Sequence, residues 1–250
     1  MEKLIFILLL GQIICFILSF LGLVLKKDKI IQIFSAIAFG FAIFLPVFLS
    51  FYTQKAIFQS EFGTKIWFCF FVLLFAWIVF FKLKQSFILS IGNIICLLFV
   101  VSVLLQTTTI HHELPPALQS PWFLPHVCCY MIAYALLGIN AVYSVFALIK
   151  HKNTFAFQEK INNIGLSFLC CAMFMGALWA KTIWANFWAW DIKEVFALLS
   201  VIIYSFLAIN FYHKKKYLHF LNIFAFCCLL FTWFGVKYLT NIGQSLHIYG

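Results

Sequence analysis

The stretch Leu4–Leu25, LIFILLLGQIICFILSFLGLVL, runs 22 residues without a charge and stops at Lys26-Lys27-Asp28-Lys29. At about 1.5 Å of rise per residue, a helix of that length crosses the ~30 Å hydrocarbon core of a bilayer. No basic n-region or small-residue cleavage site accompanies it, so it reads as a retained span rather than a secretory signal. Seven further apolar stretches follow: Ile30–Phe51, Ile66–Phe81, Phe87–Leu105, His126–Ile149, Ile164–Leu178, Val195–Phe211 and Phe220–Val236. The third is short, which predicts a tilted helix or one flanked by snorkelling lysines.

The composition of the 250 residues agrees: 65% are hydrophobic and only 10% charged, too little polar surface for a soluble domain. Barrel strands would alternate apolar and polar residues, whereas these runs are continuous. The predicted fold is an all-α integral membrane protein with about eight transmembrane helices. All seventeen basic residues are lysine, and they give the net charge of +10. They cluster between the spans, which is how membrane proteins set their orientation, so no nucleic-acid partner is expected. Alternate connections carry eleven lysines against six on the other side. The richer side is read as cytoplasmic, and both termini then lie on the outer face.

The nine cysteines all lie in apolar stretches, with no CxxC or CxxCH, and read as small core residues. Walker A, GxSxG and HExxH patterns are absent, so ATP hydrolysis and the common hydrolase chemistries find no support. No internal repeat or low-complexity linker occurs. The predicted topology brings three unusual segments to the outer face: the 111–126 connection, the Trp179–Lys193 loop and the tail containing His247.

Trp179, Trp184, Trp188 and Trp190 are half of the eight tryptophans, packed within twelve residues. An interfacial belt spreads tryptophan over many helix ends, so this concentration reads instead as a flat apolar platform for a planar ligand. If the segment is helical, Trp184 and Trp188 share a face. Asp191-Ile-Lys-Glu194 has the form of a capping box for the seventh span. Lys193 is a candidate partner for an anionic ligand group. His126 and His247 are two imidazoles on the same side, and two imidazoles can fill both axial positions of a haem. Zinc fits less well, because a structural site wants four ligands and no external cysteine is at hand. His111 and His112 are second-choice ligands. His151, His213 and His219 fall beside lysines and read as headgroup-boundary residues.

The string Trp184-Ala-Asn-Phe-Trp188-Ala-Trp190-Asp191-Ile-Lys193-Glu194 resembles the tryptophan-rich "WWD" signature of haem-handling proteins. Its Lys-Glu ending is similar to that of the CcsA (ResC) cytochrome c biogenesis family. Pro116-Ala-Leu-Gln-Ser120-Pro-Trp122 leading to His126, and Ser245-Leu-His247-Ile-Tyr249-Gly250, carry the same resemblance. It implies two segments: hydrophobic helices at 1–105, and a cytochrome c assembly core at 106–250 with its haem-binding loop at about 179–193. It further implies that His126 and His247 ligate the iron of a transiently bound haem b, and that Trp184, Trp188, Trp190 and Asp191 cradle the ring. It also implies a CcsB/ResB-like membrane subunit, an apocytochrome c bearing CxxCH and a thiol-reducing protein as partners. Ala185 and Ile192 stand where relatives carry glycine and proline. Ile209 stands near a membrane-embedded histidine of many relatives, and the nearest histidine here is His213.

The sequence thus predicts the CcsA-like subunit of a cytochrome c synthase in a bacterial inner membrane, its site facing the periplasm or exterior. No side chain reads as a general base or other catalytic group. Two rivals are a haem transporter or chaperone of the CcmC kind, without synthase activity, and a membrane scaffold whose tryptophans are only anchors.

Overall fold

The computed structural model describes residues 2–53, 61–105, 116–150 and 154–234. Eight helices occupy them: α1 (Glu2–Val24), α2 (Asp28–Thr53), α3 (Glu61–Leu83), α4 (Phe87–Leu105), α5 (Phe123–Lys150), α6 (Phe155–Trp184), α7 (Ile192–Asn210) and α8 (Tyr217–Phe234). All eight are long and apolar enough to cross a membrane, and no strand occurs among the described residues. The chain is a multi-pass membrane protein. Helix is the outcome lipid imposes, because a spanning backbone must satisfy its own N–H and C=O groups. That demand overrides the weak helix propensity of these Phe- and Ile-rich runs.

Two expected boundaries move. The third span is not short: α3 starts at Glu61 and has 23 residues, and its polar opening turn includes a buried Lys65. The sixth grows from Ile164–Leu178 to the 30 residues of α6. Its first turns carry Gln158 and Asn162, which look like loop residues in sequence but point into the protein. At the other end the helix runs on through Trp184, so only residues 185–191 of the expected tryptophan loop are non-helical.

The chain divides into two compact units, Met1–Leu114 and Pro115–Gly250. In the first, α1 packs on α2 and α4, and α3 packs on α4 and α2. Its centre is polar: the Asn93 side-chain amide lies 2.7 Å from the Ser19 hydroxyl and 2.6 Å from that of Ser35. All three residues are fully buried, so one side chain ties α1, α2 and α4 together. The turn after α1 places Lys26 at φ 54°. Lys27 N–H bonds Gly22 O and Lys26 N–H bonds Leu23 O, the paired closure of a Schellman motif.

In the second unit α5 contacts α6 and α8, while α7 contacts α8 and α6. Residues Ala133 to Ala141 of α5 are buried without interruption, so this helix is enclosed on all sides. Close approach requires small residues. A Cβ on Gly165 would come within 2.6 Å of Leu137, and one on Gly138 within 2.9 Å of Phe226. Toward one end the side-chain amides of Gln158 and Asn222 both donate to the Ser144 hydroxyl, at 2.6 and 2.8 Å. Asn222 also donates to Asn140 O at 3.1 Å, so the network joins α5, α6 and α8. His219 belongs to this interior and not to a headgroup boundary. It is buried, its ring stacked 4.4 Å from Phe155. Asn222→Leu is expected to lower the unfolding free energy in detergent by about 1–2 kcal/mol, because Ser144 and Asn140 lose donors inside an apolar bundle. Thermal or denaturant unfolding checks it, and an unchanged transition would mean the network contributes nothing.

Candidate functional site

The site is built where α5 begins and α6 ends. A 3-10 turn at Pro116–Gln119 leads into α5, and Phe123 N–H closes onto Ser120 O at 3.1 Å. Pro125 falls in the first helical turn, where a missing N–H costs nothing. His126 follows it. The Ser120 hydroxyl meets the Thr182 hydroxyl at 3.1 Å, which fastens this entry segment to the last turn of α6.

The His126 ring lies against α6. Its Nδ1 is 2.8 Å from Ala172 O. A carbonyl oxygen only accepts, so Nδ1 carries the proton, and in the neutral ring Nε2 is then the nitrogen with the lone pair. Trp179 sits 5.6 Å from the imidazole and is tilted 31° to it, and Tyr130 meets it edge-on at 4.9 Å. Trp179 in turn contacts Trp184 at 5.1 Å and Phe123 at 5.3 Å. His126, Trp179 and Trp184 therefore form one continuous aromatic wall.

Residues 185–191 are held at both ends. Ala185 ends α6 in the left-handed conformation, φ 58°, and the Lys181 ammonium donates to its carbonyl at 2.9 Å. Lys181 also lies 5.2 Å above the Phe187 ring. At the far end Asp191 and Glu194 form the expected capping box of α7. Asp191 Oδ1 accepts from Lys193 N–H at 2.8 Å, and Glu194 accepts from Asp191 N–H at 3.2 Å and Ala189 N–H at 2.8 Å. Between these anchors Trp188 and Trp190 pair edge to face at 5.9 Å. Trp190 is 71% exposed, whereas the Trp188 indole N–H is buried with no acceptor among the described residues. Because residues 185–191 are non-helical, Trp184 and Trp188 do not share a helical face.

Of the residues singled out in sequence, His126, Trp184, Trp188, Trp190 and Asp191 are all placed at this end of the second unit. His247, His111 and His112 lie outside the described residues. Ile209 is on the outside of α7, 76% exposed, and His213 is exposed in the 3-10 turn that follows. Trp179 belongs to the tryptophan cluster but not to the cradle the resemblance implies, and Ala172 and Gly176 belong to no sequence motif. These three share one face of α6 at i, i+4 and i+7, a signal hidden by how ordinary small residues are in membrane helices.

A family model described as "Cytochrome C assembly protein" matches residues 59–243, well over half of the chain. The chain belongs to the cytochrome c assembly family. Among its relatives, the cytochrome c biogenesis protein CcsA of Chlamydomonas reinhardtii is 34% identical over 151 residues, covering 55% of this chain and 43% of that protein. CcsA of Prochlorococcus marinus strain MIT 9215 is 27% identical over 192 residues, covering 61% of each. Protein NrfI of Wolinella succinogenes is 30% identical over 155 residues, covering 55% of this chain but 17% of its own length. The chain thus spans about half the length of the CcsA relatives it matches. In this cytochrome c assembly protein, the matched region takes in the whole aromatic wall and both anchors of the tryptophan segment.

Proposed function

We propose that this cytochrome c assembly protein binds haem b at the tryptophan-bearing end of its second unit and presents it for covalent attachment to the CxxCH cysteines of an apocytochrome c. The observation that carries the proposal is the contact between His126 Nδ1 and Ala172 O. Histidines that ligate metals characteristically donate the other ring N–H to a carbonyl or carboxylate, which fixes the tautomer and raises ligand basicity. The surroundings fit a haem: Trp179 and Trp184 offer an apolar wall, and Trp188 carries a buried donor without an acceptor among the described residues, suited to a propionate oxygen. Bound haem supplies an iron for axial ligation and two vinyl groups as the sites of attachment.

The chain's own residues do the holding. His126 and His247 would hold the iron. Trp184, Trp188 and Trp190 shield the ring from water, and Asp191 keeps the segment in place by capping α7. Thioether formation adds each cysteine S–H across a vinyl double bond, sulfur to one carbon and hydrogen to the other, with no net oxidation. The thiols must therefore arrive reduced, which a thiol reductant supplies. Holding haem and thiols in register converts the encounter to a local one, worth several kcal/mol of barrier. We place the site on the outer face of a bacterial inner membrane, with both termini outside and a CcsB/ResB-like subunit as partner.

The test is maturation of a CxxCH reporter in cells that lack their own system. Co-expression with a CcsB-like subunit is expected to yield covalent haem on the reporter, detected by haem staining after denaturing electrophoresis. Bound haem with no covalent product would instead support the transporter reading, and no haem at all would support the scaffold.

A further inference from the structure

In an α-helix the carbonyl of residue 172 points along the axis toward the N–H of residue 176. Side chains lean toward the helix N-terminus, so any side chain at 176 would lie over that carbonyl. Residue 176 is glycine, and the His126 imidazole fills the space: a Cβ built there would be 2.6 Å from Cε1 and 2.7 Å from Nδ1. The ring is thus seated on bare backbone, Nδ1 reaching Ala172 O at 2.8 Å, with Trp179 one turn further along the same face.

We infer that Gly176 is a positioning residue, which by having no side chain exposes Ala172 O to His126 and so holds the imidazole as its Nδ1–H tautomer with Nε2 as the ligating nitrogen. The inference rests on the haem reading for its functional meaning, but the tautomer is a property of the protein without haem. A methyl group at 176 collides with a ring and not with backbone, so the ring moves while the helix stands. Alanine is also the better helix former. Gly165 provides the control. It lies on the same helix where a Cβ would come within 2.6 Å of Leu137, so alanine there strains α5–α6 packing without touching His126.

The experiment uses the full-length protein in detergent, purified without haem and labelled with 15N-histidine, with His126 assigned by difference from His126→Gln. NMR is expected to show His126 protonated at Nδ1 in wild type and in Gly165→Ala. Gly176→Ala is expected to shift it to Nε2–H or to a mixture. After haem is added, Gly176→Ala is expected to bind about tenfold more weakly and to show a raised iron midpoint potential, since a less basic imidazole favours ferric iron less. A wild-type Nε2–H tautomer overturns the inference, as does a tautomer that Gly176→Ala leaves unchanged or that Gly165→Ala alters equally. If the tautomers behave as stated but no preparation binds haem, Gly176 keeps its positioning role and the haem reading falls.

Discussion

Replacing His126 with alanine is expected to abolish or strongly weaken a low-spin b-type spectrum of the detergent-purified protein, both oxidised and dithionite-reduced. The reasoning is local. His126 is the described histidine whose ring lies in the aromatic wall, and its Nδ1 is already committed to Ala172 O. In the proposed site His126 bonds the iron directly, so the fall in affinity should exceed the 10–100-fold typical of outer-shell changes. His247→Ala is expected to have the same consequence, because the proposed site gives it the second iron-ligand role. Unfolding curves must match wild type for the comparison to count. A spectrum unchanged in both variants would sink the bis-histidine assignment and turn attention to His111 or His213.

The second large effect falls on Trp179. It is 2% exposed and touches His126, Phe123 and Trp184. Trp179→Ala leaves a cavity at the junction of α5 and α6, and large aromatic truncations in packed interiors cost about 3–5 kcal/mol. Unfolding of the haem-free protein in detergent measures this. Trp190→Ala is the matched contrast: at 71% exposure it is expected to change stability by less than about 0.5 kcal/mol, while still reducing haem affinity. Equal stability losses in the two variants would mean that Trp179 is not the wall the packing makes it.

Much of the architecture was legible in the residues. Uncharged runs of bilayer length determine helices, and the lysine-bearing connections mark where they stop. Boundaries were misread where polar residues belong to helices. Gln158 and Asn162 extend α6 because their amide N–H groups find acceptors inside the bundle, Gln158 on the Ser144 hydroxyl and Asn162 on Tyr204 O at 3.1 Å. Asp191 and Glu194 could be read as a cap because that signal is local, complete within four residues.

The sequence by itself determined that this is a membrane-spanning helical protein, that its tryptophans concentrate before the seventh helix, and that His126 stands at the mouth of the fifth. Only the tertiary structure decided how these meet. Residue 126 reaches a carbonyl 46 positions away, through a gap that exists because residue 176 has no side chain. Such a contact depends on the rotation and depth of one helix against another. Packing of whole helix faces sets those quantities, and no short motif records them.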